Sequence, residues 1–191
     1  MFLPRITGDS HKRSTSHFLS HFLFRPEFAA ERCATEIVQE KLTSFNRTCY
    51  EFQIDRGGSF TSSAQYCQER GGLLIHSINE VTHDFLYAEL ERNKAKLKSR
   101  LVWIGARREV NTNSTVPSFH KSRAQNNLWK WVNGKPVSKF LWASDQPNNY
   151  NGMQNCMVLD GGRQWYYNDV TCELGKINCT VARQAASKRR H

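Results

Sequence analysis

Six cysteines, Cys33, Cys49, Cys67, Cys156, Cys172 and Cys179, set the first constraint on this chain of 191 residues. Their number is even and no two form a Cys-x-x-Cys pair. That spacing disfavours zinc ribbons and thioredoxin-type redox sites and favours a disulfide framework. Disulfides persist in oxidising compartments, so the framework predicts a secreted or extracellular protein. Three Asn-x-Ser/Thr sequons, at Asn46, Asn113 and Asn178, agree with that, although the third carries Cys179 at its centre. The export signal is weak. The apolar patch from His17 to Phe24 is broken by Ser20 and His21, whereas a secretory segment needs a clean run of roughly 7–15 apolar residues. No run approaches the ~18–20 apolar residues of a membrane span. The expectation is an extracellular domain that is part of, or a variant of, a larger modular protein.

Along the chain, residues 1–32 are rich in His, Ser and Arg without periodicity and read as an unstructured leader. Residues 33–180 carry the apolar patterning of one domain, and residues 181–191 read as a basic tail. Cys49–Phe52 alternates as a strand does. Ser59 is a favoured helix cap, with Phe60, Ala64 and Cys67 on one face of the helix behind it and Gly71-Gly72 to stop it. Leu73–Ile75 reads as a buried strand. Val81, Phe85, Leu86 and Leu90 recur at helical spacing, with acidic residues early and basic ones late, as the helix dipole favours. Leu101–Gly105, Trp129–Val132, Met157–Leu159 and Trp165–Tyr167 read as short strands, and Asn133-Gly134 as a tight turn. Glu109 to Asn127 has no pattern and reads as a long surface loop. Helices early and short strands later give an α+β class, with two helices packed on small antiparallel sheets.

The formal net charge is +10, concentrated in Arg92, Lys94, Lys96, Lys98, Arg100, Arg107 and Arg108 and in the tail. Such a stretch is a solvated face or, alternatively, a surface that attracts acidic glycans. Nucleic acid is disfavoured, because stacking platforms interleave exposed aromatics with basic residues, whereas these tryptophans alternate as core residues. An enzyme is disfavoured too. There is no Gly-x-Ser-x-Gly elbow, His-Glu-x-x-His pair or phosphate loop. His76, after a buried strand, and His83, on a helix, read as structural.

What remains is a set of side-chain oxygens in three clusters, at 146–149, 154–155 and 168–169, held by a proline turn and by cysteines. Oxygens so arranged can converge on a hard cation. The order of motifs resembles the C-type lectin-like domain. The resemblance is carried by Cys49-Tyr50-x-Phe52, Ser59-Phe60 through Ala64 to Cys67, Gly71-Gly72-x-Leu74 and Trp103-Ile104-Gly105. It continues with Trp129-x-Trp131, Asn133-Gly134, Trp142, Gln146-Pro147-Asn148-Asn149, Asn155-Cys156 and Asn168-Asp169-x-x-Cys172. It implies a double-loop fold with close ends, bridges Cys67–Cys179 and Cys156–Cys172, and a third bridge, Cys33–Cys49, at the N-terminal hairpin. The Cys67–Cys179 loop of roughly 110 residues, once closed, contributes about 4–5 kcal/mol in the chain-entropy model. The tryptophans are expected to pack in the core.

By position the resemblance implies a calcium and sugar site made of Gln146, Asn148, Gln154, Asn168 and Asp169, with a cis Pro147 turning its neighbours outward together. Sugar-binding members use Glu-Pro-Asn or Gln-Pro-Asp. Here Gln146-Pro147-Asn148 is a hybrid, Gln154 stands where a Glu is usual, and Tyr167 replaces the usual Trp. Asp169 is then the one charged ligand. Calcium affinity follows ligand charge, and removing two carboxylates at about 4–6 Å weakens it by several kcal/mol even at an effective dielectric near 20. Two readings stand. One is glycan or glycoprotein recognition through a weak, partly degraded calcium site. The other is calcium-independent recognition of a protein or an anionic glycan.

Overall fold

The computed structural model describes residue 33 and residues 42–109, 128–138 and 141–184. The expected leader, nearly all of the expected 109–127 loop and the end of the expected tail lie outside the described residues. Strand β1 (Leu42–Phe45) turns through Asn46 and Arg47, both at positive φ, into β2 (Thr48–Gly58). This tight turn keeps Asn46 exposed. Helix α1 (Phe60–Glu69) starts as its cap predicts. The Ser59 hydroxyl accepts from the Ser62 N–H at 3.3 Å, an interaction typically worth about 1 kcal/mol. Phe60, Ser63 and Cys67 face inward, and Gly71 follows at φ +69°. After β3 (Leu73–Leu74) comes α2 (Glu80–Asn93), capped by the Asn79 side chain. Its phase differs from the sequence expectation: Val81 is exposed, while His83 turns inward with Leu86 and Leu90. The His83 Nε2 lies 3.0 Å from the Trp165 carbonyl, a structural use of the imidazole.

The sheet is completed by β4 (Leu101–Arg108), β5 (Trp129–Trp131), β6 (Cys156–Asp160), β7 (Tyr166–Val170) and β8 (Ile177–Gln184). Its order is β1-β2-β8-β4-β6-β7, with β3 paired to β8 and β5 to β4. All pairings are antiparallel except β4 with β8. The last strand therefore lies between β2 and β4 and joins the two ends of the domain. It runs to Gln184, four residues past the expected end of the domain at 180, and Val181 and Ala182 are buried. Polar Asn178 is tolerated inside because its amide donates to the Ser99 and Leu101 carbonyls and accepts from the Lys98 N–H. A side chain so enclosed carries no glycan, which removes the third sequon from consideration.

Trp103, Trp129 and Trp131 are buried and Trp142 is half-buried, as their alternation predicts. Trp142 meets Trp129 and Tyr167 edge to face, at ring-centre distances of 5.2 and 5.9 Å. This aromatic column underlies the 143–155 segment. Two bridges form, Cys33–Cys49 and Cys156–Cys172. The expected Cys67–Cys179 bridge is corrected: both are free, buried thiols that hydrogen-bond to each other. Helix α1 and strand β8 bring the two sulfurs side by side without a covalent link. The bond to Cys179, together with burial, pushes the Cys67 thiol well above its ordinary value, so it is a poor thiolate. Refolding in a glutathione redox buffer is expected to join this pair and to raise the stability of the domain by roughly 4 kcal/mol. Non-reducing peptide mapping before and after treatment, with urea unfolding of both forms, checks this. A pair that stays reduced contradicts the placement.

Candidate functional site

The candidate site is a lip, residues 143–155, laid over the β6–β7 hairpin. The Cys156–Cys172 bridge ties the start of β6 to the chain just beyond β7. The lip is anchored at one end by the Ala143 N–H to the Tyr167 carbonyl, 2.9 Å. The Gln146–Pro147 bond is cis, as the resemblance implies. Asp145, Asn149 and Asn151 take positive φ, and Gly152 does so at +74°. Asn and Gly are the residues that tolerate this conformation, which explains the Asn-rich composition of the segment.

Asp169 is the centre of the arrangement. It lies on β7, opposite Met157 of β6, and is fully buried. Its Oδ1 accepts from the Asn148 N–H at 3.0 Å and its Oδ2 from the Asn149 N–H at 2.7 Å. Burial raises its carboxyl above the ordinary value of 3.8, and the two N–H bonds and the charge of Arg108 pull it part of the way back. The carboxylate expected to face a ligand holds the backbone of the lip in this structure.

The amides are engaged in a similar way. Gln146 Oε1 accepts from the Asn148 N–H at 3.3 Å. The Tyr150 N–H is shared between Asn148 Oδ1 at 3.0 Å and Gln154 Oε1 at 2.6 Å. Gln146, Asn148, Gln154 and Asp169 thus converge on the 148–150 backbone. Asn168 does not join them through any bond, because its Nδ2 donates to Asp160 Oδ2 at 3.0 Å. Asp160, a nearby carboxylate, also caps the Gly162 N–H and is therefore structural.

Three residues of the site escaped the sequence reading. Tyr150 and Met153 are 69% and 63% exposed at the crest of the lip. Arg108, grouped by sequence with the basic stretch, reaches into the lip instead. Its Nη2 donates to Asn149 Oδ1 at 2.6 Å and to Asn155 Oδ1 at 2.8 Å, and its Nε to the same Asn155 oxygen at 3.0 Å. Arg108 follows the register shift between Ile104 and Arg107 in β4, and such irregularities re-aim side chains, but no residue pattern in the sequence marks it. The rest of the stretch is divided too. Arg92 and Lys94 pair with Glu89 and Glu91, and Arg107 lies over the Phe60 ring. Lys96, Lys98 and Arg100 are exposed.

This donor set does not fit a calcium ion. Its one carboxylate has both oxygens on backbone N–H groups and feels the charge of the Arg108 guanidinium, and the amide oxygens also accept N–H bonds. A hard divalent ion takes oxygens whose lone pairs are free to face it, and binds more tightly the more of them are charged. Among the described residues, no three of His, Cys, Asp and Glu gather as metal ligands.

The family profile described as the lectin C-type domain matches residues 56–178, well over half of the chain. The chain belongs to the C-type lectin domain family. Among its relatives, human C-type lectin domain family 17, member A is 27% identical over 128 residues, 67% of this chain and 28% of that protein. This chain therefore spans less than a third of that relative. The mouse scavenger receptor C-type lectin carbohydrate-recognition domain shares the fold at TM-score 0.58 and 18% identity, covering 80% of this chain and all of that one. A calcium-independent type II antifreeze protein does so at TM-score 0.57 and 16% identity, covering 78% and 96%.

The state of Asp169 in this C-type lectin domain gives a pH signature. Its folded pKa lies above the unfolded one, so its contribution to stability is fully present below 3.8 and declines as pH rises through the folded value. Asp169→Asn removes this titration and is expected to flatten that part of the stability profile. Urea midpoints for both proteins, from pH 3.8 upward, check it. Parallel profiles would show that Asp169 titrates as an ordinary exposed carboxyl.

Proposed function

We propose that the domain recognises a glycan or glycoprotein outside the cell through direct contacts from its lip, without a bridging metal. The observation that carries this is the engagement of both Asp169 oxygens by the Asn148 and Asn149 N–H groups. With their oxygens turned to backbone donors, Gln146, Asn148 and Gln154 offer NH2 groups, which suit acceptor-rich ligands such as sugar hydroxyls and carboxylates. Tyr150 adds an exposed ring and Met153 an adaptable apolar side chain, and each can pack on the face of a sugar or on a protein side chain. The fold accommodates such a reading, since a solved neighbour is described as a calcium-independent protein.

The crest of the site, formed by Tyr150 and Met153, stands open to solvent. An open cleft of about 590 Å³ bounded by Thr48, His76, Ser77, Asn133 and Arg183 lies elsewhere, and none of the five expected ligand residues borders it. An exposed crest suits large partners such as glycoproteins. The exposed Lys96, Lys98 and Arg100 add a long-range attraction for acidic glycans. Extracellular placement is supported by the Cys33–Cys49 and Cys156–Cys172 bridges.

The test is a glycan and glycoprotein array probed in calcium and again in chelator. Binding is expected to be equal in both, and Tyr150→Ala is expected to weaken it at least about tenfold, or 1.4 kcal/mol. Binding that vanishes with chelation, or that ignores Tyr150, rejects the reading.

A further inference from the structure

Arg108 belongs to a strand, carries a full charge, and yet is half-buried under a loop more than forty positions away. Its guanidinium collects two carboxamide oxygens of the lip in three hydrogen bonds, all between 2.6 and 3.0 Å. Its own N–H donates to the Asn155 carbonyl at 3.0 Å, so backbone and side chain grip the same residue. The oxygen of Asn149 also accepts from the Gln154 N–H at 3.2 Å, which closes the loop across its width. Burial lowers the Arg108 pKa and the Asp169 carboxylate raises it again, so the two groups sense each other's charge.

We propose that Arg108 is a cation built into the fold, which orders the lip from within by gathering the oxygens of Asn149 and Asn155 around one fixed positive charge. The inference rests on the metal-independent reading of the lip and supplies the physical reason for it. Gathering oxygens from distant positions is what a bound hard cation does for a loop. A guanidinium does the same with directed N–H bonds, and in a protein it stays charged at every accessible pH. The charges also match. One guanidinium faces one buried carboxylate, Asp169, with neutral amides between, whereas a divalent ion would leave the pocket positive. Arg108 is thus a positioning residue. It does not contact the ligand but sets where Asn148, Tyr150 and Gln154 stand when the ligand arrives.

Limited proteolysis of the ligand-free protein, with mass mapping of cuts within residues 146–155, tests this. Lip cleavage follows the population of locally opened chain. The wild type is expected to be cut in the lip equally slowly in chelator and in millimolar calcium. Arg108→Met is expected to raise the lip cleavage rate at least about tenfold while cooperative unfolding is retained. Arg108→Lys, which keeps the charge, is expected to restore part of the protection. Should Arg108→Met fail to fold, Asn155→Leu removes the main partner of the guanidinium from the loop side and is expected to open the lip in the same way. A folded Arg108→Met or Asn155→Leu protein with a wild-type lip cleavage rate overturns the proposal. So does an Arg108→Lys protein as labile as Arg108→Met, or a wild-type lip protected only by calcium. Array binding is read separately. A wild-type protein that binds nothing in chelator, yet whose lip order follows Arg108, refutes the proposed function and leaves this inference standing.

Discussion

A carboxylate placed out of water must be matched by positive charge or by directed donors, and the whole lip is arranged around that demand at Asp169. The two donors it takes are the N–H groups of Asn148 and Asn149, which makes the loop backbone part of the solution to a burial problem on the adjacent strand. Arg108 then supplies the missing charge from the other side, through the oxygens of Asn149 and Asn155. Neither partner is at the surface proposed for recognition. They set the position of the groups that are: Gln146, Asn148, Tyr150, Met153 and Gln154. The proposed recognition surface is therefore mostly neutral, while the charges that order it lie beneath.

That internal pair is useful only because the platform below is rigid. Strand β8 runs between β2 and β4 and fastens the C-terminal end of the domain to its start. The Trp129–Trp142–Tyr167 column fills the space between sheet and lip with edge-to-face contacts. The Cys156–Cys172 bridge fixes the hairpin that carries Asp169. Closing a loop of that size contributes about 3 kcal/mol in the chain-entropy model. A lip with almost no regular structure can hold one shape because each of its ends meets one of these supports.

The architecture was readable wherever it depended on local chemistry. Ser59 capped its helix, Gly71 ended it, the tryptophans alternated into the core, and the cis proline stood where the motif placed it. What the sequence did not reveal depended on which way a side chain faced once strands had paired. Asp169 looked like a ligand because it stood in a ligand's place, but the decision to turn it toward the Asn148 and Asn149 N–H groups is tertiary. Arg108 looked like one member of a basic run because spacing says nothing of the β4 irregularity that aims it inward. The α2 phase was misjudged for a similar reason: His83 goes inside because the Trp165 carbonyl awaits it there, leaving Val81 outside.

The claim most open to a direct check is that the protein's own charges, and no dissociable ion, keep the lip in shape. Hydrogen exchange of the Asn148, Asn149 and Tyr150 amides, measured in chelator and again in saturating calcium, addresses it without any substitution. The account predicts strong protection for all three, of equal size in both conditions, because each N–H is held by a side-chain oxygen of the chain itself. Amides that exchange freely in chelator and become protected only when calcium is added would contradict it.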